Sequence, residues 1–262
     1  MSQLSRDDDL WCHRYRPAAG ATGRLVCLPH AGGSASYFFS VSTALSPGVD
    51  VVAIQYPGRQ ERRAEQPISD MAVLADRIHD VLRRQPEMPL TLFGHSMGAI
   101  VGFEVTRRLE ADGHGPVRLF ASGRRAPSAH RDENVHRRDD AGILAEVRRL
   151  NGTVSSVLDD DEMMRAVLPT LRADYQAIET YRCAPQTTVN CPITALTGDA
   201  DPRTSLDEAS AWAKHTTGSF DLQVFTGGHF FLTAHANAVV KILHQHFRGQ
   251  SASWSPGGYL GG

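Results

Sequence analysis

A serine hydroxyl becomes a nucleophile only when a base takes its proton and a third group orients that base. The sequence offers such a serine at Ser96, centred in Gly94-His95-Ser96-Met97-Gly98. A serine between two such glycines suits a sharp strand-to-helix turn that exposes its hydroxyl, because at Gly94 and Gly98 a side chain would collide with neighbouring backbone. The five-residue pattern is common by chance. Its context is more telling, since the apolar run from Leu90 precedes it and a helix-like run over Ala99–Asp112 follows, ending at Gly113.

Twelve histidines compete for the role of base. His30 precedes the serine, His95 adjoins it, and His244 and His246 read as surface residues of a closing helix. His229 follows the last strand-like run behind Gly227-Gly228, so it is the expected base. For the orienting acid, Asp199 and Asp201 both follow an earlier strand-like run. Asp201 is favoured because Pro202 biases it towards extended backbone. Asp199 stays as the alternative, its side chain otherwise suited to bonding loop N–H groups. A carbonyl attacked by Ser96 would become an oxyanion needing two preset N–H donors. The Met97 N–H, directly after the serine, is one candidate. The turn His30-Ala31-Gly32-Gly33-Ser34 offers the other, and Ala31 is the choice. That turn is not a phosphate loop, lacking both G-x-G-x-x-G and a terminal GK[ST].

The elements that would position these residues alternate. Strand-like runs are Leu10–Arg16 at an edge, then Arg24–Pro29, Val51–Tyr56, the apolar run from Leu90 up to the Gly94–Gly98 motif, Val117–Gly123, Pro192–Gly198 and Phe220–Phe225. Helical spacing recurs over Tyr37–Leu45, Met71–Arg84 with Asp70 as cap, Leu206–Lys214 and Ala236–Phe247. The stretch 124–184 differs. It opens basic and polar, then continues without a β-run as helices over Ala141–Leu150, from Asp159 onward, and a third starting at Pro169. The expected architecture is α/β, a mostly parallel sheet with helices on both faces and a helical lid inserted at about 124–184. Ser96, Asp201 and His229 follow in the order that α/β hydrolases use. All would lie at the carboxyl edge of the sheet. Residues 1–247 form the expected domain, and 248–262, rich in Gly and Ser, a disordered tail.

Composition narrows the class. A formal net charge of −2 and a pI of 6.6 do not suggest nucleic acid as partner. The cysteines Cys12, Cys27, Cys183 and Cys191 form no C-x-x-C pair, which suits a reduced cytoplasmic protein. The first residues are acidic where a secretory signal needs an apolar core, and no apolar run approaches membrane-spanning length.

The segments LPHAGGSASYF, QYPGRQER, LTLFGHSMGAIVGFE, SGRRAP, LRADYQAIETY, TGDADP and FTGGHFFL extend over most of the chain from Leu25 to Phe247. Together they resemble the type II thioesterases, stand-alone α/β hydrolases that accompany polyketide synthases and non-ribosomal peptide synthetases. The resemblance implies hydrolysis of acyl groups from the phosphopantetheine arm of an acyl or peptidyl carrier protein, editing stalled or aberrant units. It places the nucleophile at Ser96, the acid at Asp201, the base at His229 and the oxyanion donors at Ala31 and Met97. It implies no bound cofactor or metal, since the pantetheine arrives with the partner. A monomer acting on neither nucleic acid nor membrane is expected. The alternative is a chain-releasing or acyl-transferring hydrolase of the same fold; further off stands an inert carrier-binding scaffold.

Two expectations concern the surroundings. Arginines at 59/62/63, 124/125 and 131/137/138 flank the expected active edge and would steer an acidic carrier face. Met163, Met164, Val167, Leu168, Leu171, Tyr175 and Ile178 would include lid residues lining an acyl tunnel, with plain helix packing accounting for most of them.

Overall fold

A computed structural model describes residues 8–151 and 161–251. The strands are β1 (Cys12–His13), β2 (Arg24–Leu28), β3 (Asp50–Ile54), β4 (Leu90–His95), β5 (Arg118–Ser122), β6 (Ile193–Gly198) and β7 (Phe220–Phe225). They form one sheet in the order β1-β3-β2-β4-β5-β6-β7. β1 is antiparallel to β3 and every other pairing is parallel. The short runs of apolar residues split by the pleat's period of two. Val26, Leu28, Val52, Ile54 and Leu92 join one core; Leu25, Cys27, Val51, Ala53 and Phe93 join the other.

Helices cover both faces. The first core takes α2 (Met71–Arg83), α3 (Met97–Ala111) and α5 (Asp161–Thr180); the second takes α1 (Phe39–Leu45) and α8 (Ala236–Ser251). The α2 face of Met71, Leu74, Ala75, Ile78, Val81 and Leu82 is buried, as its spacing requires. Each of its larger side chains contributes about 1.5–3 kcal/mol by leaving water. The Asp70 carboxylate caps this helix by accepting the Val73 N–H at 3.0 Å. The remaining helices are α4 (Asp140–Asn151), α6 (Leu206–Ser210) and α7 (Phe231–Ala234).

Several boundaries differ from expectation. The first strand keeps only Cys12–His13, because Arg14 leaves the pairing line to bond Asp50 at 2.8 Å. The helix after Ser96 starts at Met97, two residues early, because Ser96 makes the turn alone. Leu206–Lys214 divides into α6 and a 3-10 turn at Ala211–His215. Pro169 does not start a helix; it lies inside α5. An interior proline costs about 3 kcal/mol through its missing N–H and ring clash. Here Pro169 is exposed, while Leu168, Leu171, Tyr175 and Ile178 are buried. Packing of those residues outweighs the proline. The helix expected from Asp159 is described from Asp161, and residues 159 and 160 lie outside the described residues. α8 runs to Ser251, past the expected boundary at 247; residues 252–262 of the expected tail also lie outside.

Candidate active site

Ser96 stands between β4 and α3 with φ 55° and ψ −116°. Such a conformation costs a non-glycine residue about 1–3 kcal/mol and persists only where its surroundings fix it. The Ser96 N–H donates to the Ser122 carbonyl at 2.7 Å, and the Ser96 carbonyl accepts the Ala99 N–H at 3.0 Å. Both flanking glycines are sterically required. A Cβ on Gly94 would sit 2.0 Å from the Gly98 carbonyl oxygen, and one on Gly98 would sit 2.0 Å from that of Leu28. Neither oxygen can move without breaking the sheet-to-helix packing that forms the turn.

The loops after β6 and β7 bring the other two residues to this turn. His229 Nε2 lies 2.9 Å from Ser96 Oγ, and its Nδ1 lies 2.9 and 3.1 Å from the two Asp201 oxygens. A carboxylate can only accept, so Nδ1 carries the hydrogen and Nε2 is left to accept from the Ser96 hydroxyl. Asp201 is fixed by the Arg203 N–H, which donates to it at 2.8 Å. Asp201 and His229 are 8% and 3% exposed, so water competes little for their bond. Asp199 points elsewhere and accepts the Gly227 N–H at 2.9 Å, bracing the loop that carries His229.

The second turn lies opposite. Ala31, Met97, Ser96 and His229 line one cavity of about 240 Å³. In the His30–Ser34 turn the Gly32 N–H donates to Asp174 at 2.7 Å and the Gly33 N–H to the His30 carbonyl at 2.9 Å. Of these three neighbours, Ala31 alone keeps an N–H with no acceptor among the described residues. Met97 opens α3, where no preceding turn can accept its N–H.

Beside the catalytic candidates, the rings of His95 and Phe230 pack on His229, and His30 packs on Phe230. His95 lies 5.3 Å and Phe230 5.2 Å from His229 between centroids, and His30 lies 4.9 Å from Phe230. Burial, and then the neighbouring histidines, hold His95 well below the ordinary imidazole pKa. Loss of hydration, and then His229, lower His30 to about 3. Both stay neutral beside the site. His246 is not the surface residue expected. It is half-buried against Phe120 and meets Thr91 Oγ1 at 2.8 Å, and burial lowers its pKa to about 4.

The arginines divide. Arg59, Arg62, Arg124 and Arg125 are buried, which removes them from any docking surface. For Arg59, Arg62 and Arg125 the cause is internal pairing and stacking. Arg59 pairs with Asp174, Arg62 bonds Glu65 and lies 4.3 Å from the Trp11 ring, and Arg125 pairs with Glu133 at 2.6 Å. Arg131 pairs with Glu208, Arg138 is exposed but reaches Glu146 at 3.4 Å, and Arg63 and Arg137 are exposed. Of the expected tunnel residues, Val167, Leu171, Tyr175 and Ile178 line the cavity, and Leu168 packs in the core instead. The side chains of Met163 and Met164 lie outside the described residues. The sequence reading missed the charged wall formed by Arg124, Glu133, Glu179 and Arg203. It also missed Asp174, although SGRRAP and LRADY stood among the resembling segments. Among the described residues no cluster of three His, Cys, Asp or Glu could hold a metal, and no helix is long and apolar enough to cross a membrane.

Comparison with known proteins identifies the family. The family model described as "Thioesterase domain" matches residues 23–247. The "Probable cadicidin biosynthesis thioesterase" of Streptomyces griseus is 55% identical over 229 residues, 87% of this chain. The chain spans 63% of that relative's length. Thioesterase PikA5 of Streptomyces venezuelae is 48% identical over 248 residues, covering 93% of this chain and 87% of PikA5. Among solved structures, the type II thioesterase BorB from the borrelidin biosynthetic cluster superposes with a TM-score of 0.87. It is 48% identical, with 91% of this chain and 98% of BorB covered.

Proposed function

This chain belongs to the thioesterase domain family, with an α/β-hydrolase fold, and on that premise we propose that it hydrolyses acyl thioesters held on the phosphopantetheine arm of a carrier protein. Its task would be to clear stalled or aberrant acyl units from a polyketide or non-ribosomal peptide assembly line. The observation that carries the reading is the continuous hydrogen-bond path from Ser96 through His229 to Asp201 inside one cavity.

In this reading Ser96 Oγ attacks the thioester carbonyl as its proton passes to His229 Nε2. Asp201 holds the opposite N–H and stabilises the imidazolium that forms. The Ala31 and Met97 N–H groups receive the developing oxyanion; losing one such donor typically costs about 2.7–4 kcal/mol of barrier. The C–S bond breaks and His229 returns the proton to the pantetheine sulfur. Water then attacks the acyl-serine, His229 takes its proton, and the carboxylic acid leaves as the proton returns to Ser96. Apart from that water, every step uses groups of this chain and of the substrate.

α4 and α5, inserted between β5 and β6, act as the lid, with Leu171, Tyr175 and Ile178 facing the acyl group. Arg63, Arg137 and Arg138 are the expected steering charges for an acidic carrier face. A fluorophosphonate probe tests the nucleophile. Intact-protein mass spectrometry should find one adduct, mapped to Ser96 and absent in Ser96→Ala. Labelling elsewhere, or none on the folded enzyme, would reject it.

A further inference from the structure

The chemistry above gives no task to the charged residues of the cavity wall, and Arg124 among them has no acid bonded to its guanidinium among the described residues. Arg124 is 8% exposed and lines the cavity together with Ser96 and His229. Its backbone is anchored, since its carbonyl accepts the Trp212 indole N–H at 2.7 Å. Its guanidinium is not. Nε is buried without a hydrogen-bond partner, and among the described residues the group makes no ion pair.

The acids that share the wall are committed elsewhere. Glu133 accepts from Arg125 at 2.6 Å and from Arg203 at 2.7 Å. Glu179 accepts the N–H groups of Val135 and His136 at 3.0 and 3.1 Å, and meets His136 Nδ1 at 2.5 Å. Burial, and then repulsion from Arg125, lower the Arg124 pKa to about 9, which leaves it cationic at neutral pH. A guanidinium presents five N–H donors in a fixed fork. Keeping them from water without acceptors is costly. A plain hydrocarbon chain in the cavity would leave them unmet; an oxygen on that chain would not.

We propose that Arg124 is a specificity-determining residue that recognises an oxygen acceptor carried on the acyl chain beyond the thioester carbonyl. The preferred substrates are therefore oxygenated acyl groups, bearing a keto, hydroxyl or carboxylate oxygen, rather than saturated hydrocarbon ones. This rests on the reading that the cavity receives the acyl group attached to Ser96.

The test compares butyryl, 3-oxobutyryl, 3-hydroxybutyryl and succinyl thioesters of N-acetylcysteamine with wild type, Arg124→Met and Arg124→Lys. The ratio of kcat/KM for each oxygenated substrate to that for butyryl should fall about tenfold or more in Arg124→Met, as expected for losing a hydrogen bond to a charged donor. Arg124→Lys, a point charge without the fork, should restore the succinyl ratio more than the keto ratio. Whichever oxygenated arm falls furthest identifies the oxygen as neutral or anionic. An unchanged ratio in folded Arg124→Met overturns the assignment. Should that variant fail to fold, Arg124→Gln takes its place. A second measurement does not need turnover: binding of 3-hydroxybutyrate, succinate and butyrate to Ser96→Ala, with and without Arg124→Met. If wild type hydrolyses none of the thioesters, the thioesterase reading fails, and the binding series still decides the Arg124 assignment. A preference for the oxygenated acids that Arg124→Met abolishes sustains it, and equal binding refutes it.

Discussion

Asp174→Ala would cut the connection between α5 and the turn that carries Ala31. The Asp174 Oδ2 atom accepts the Gly32 N–H at 2.7 Å and also the Arg59 guanidinium. Both charged side chains are buried, at 6% exposure for Arg59 and 3% for Asp174. Arg59 also lies 5.1 Å from the Tyr56 ring, and its NH1 donates to the Pro57 carbonyl at 3.0 Å. Removing the carboxylate leaves a buried cation without its counter-charge, which costs about 3–5 kcal/mol. For a chain of this size that lowers Tm by about 6–20 °C. The catalytic effect is separate. Freed from Asp174, the turn holds the Ala31 N–H less firmly, so kcat for a small thioester should fall about tenfold to a hundredfold, less than the 10²–10³ for deleting a donor. Asp174→Asn, which keeps an acceptor for Gly32 without the charge, should recover kcat more than Tm. The pair Arg59→Met with Asp174→Leu should recover Tm, because apolar replacement of a buried ion pair is often neutral or stabilising. It should not recover kcat. An Asp174→Ala enzyme that is folded and fully active would refute the coupling, and so would a double variant that regains both quantities.

Gly98→Ala should give insoluble or unfolded protein on expression, because its Cβ would lie 2.0 Å from a backbone oxygen of β2. Asp201→Asn should stay folded while kcat falls by about 10⁴, since the amide can favour the wrong imidazole tautomer; a loss below tenfold would point to Asp199 as the acid. His95 is held neutral in the folded chain, with a pKa below its ordinary 6.5. The unfolded chain therefore binds the extra proton, so stability is full above about pH 6.5 and falls as pH drops towards the lowered folded value. Chemical denaturation from pH 7 to 4 should show this loss, with a shallower slope in His95→Gln; parallel slopes would contradict it.

The site was legible because its parts are local signals. A strained serine needs Gly94 and Gly98, and the candidate acid Asp201 and candidate base His229 follow strand ends in chain order. Their meeting across the sheet edge follows from parallel strands in sequence β4, β6, β7. What escaped was non-local. Asp174 lies far along the chain from Gly32 and Arg59, and nothing in LRADY shows which backbone its carboxylate will reach. The arginines misled for a similar reason. An Arg in a polar loop reads as solvated, yet Arg59, Arg124 and Arg125 are buried, Arg59 paired with the sequence-distant Asp174 and Arg125 with Glu133 of its own loop. Pro169 misled because local propensity favours a helix start, whereas tertiary burial of Leu171, Tyr175 and Ile178 carries α5 through it.

The central claim is carrier-thioester hydrolysis by Ser96. It is tested most directly by incubating the protein with an acyl-loaded carrier protein and following the carrier's intact mass. The wild type should return the carrier to its free-thiol mass and release one equivalent of carboxylic acid, while Ser96→Ala leaves the acyl group in place. Equal release by Ser96→Ala, or an acyl group recovered as ester, amide or lactone instead of free acid, would contradict it.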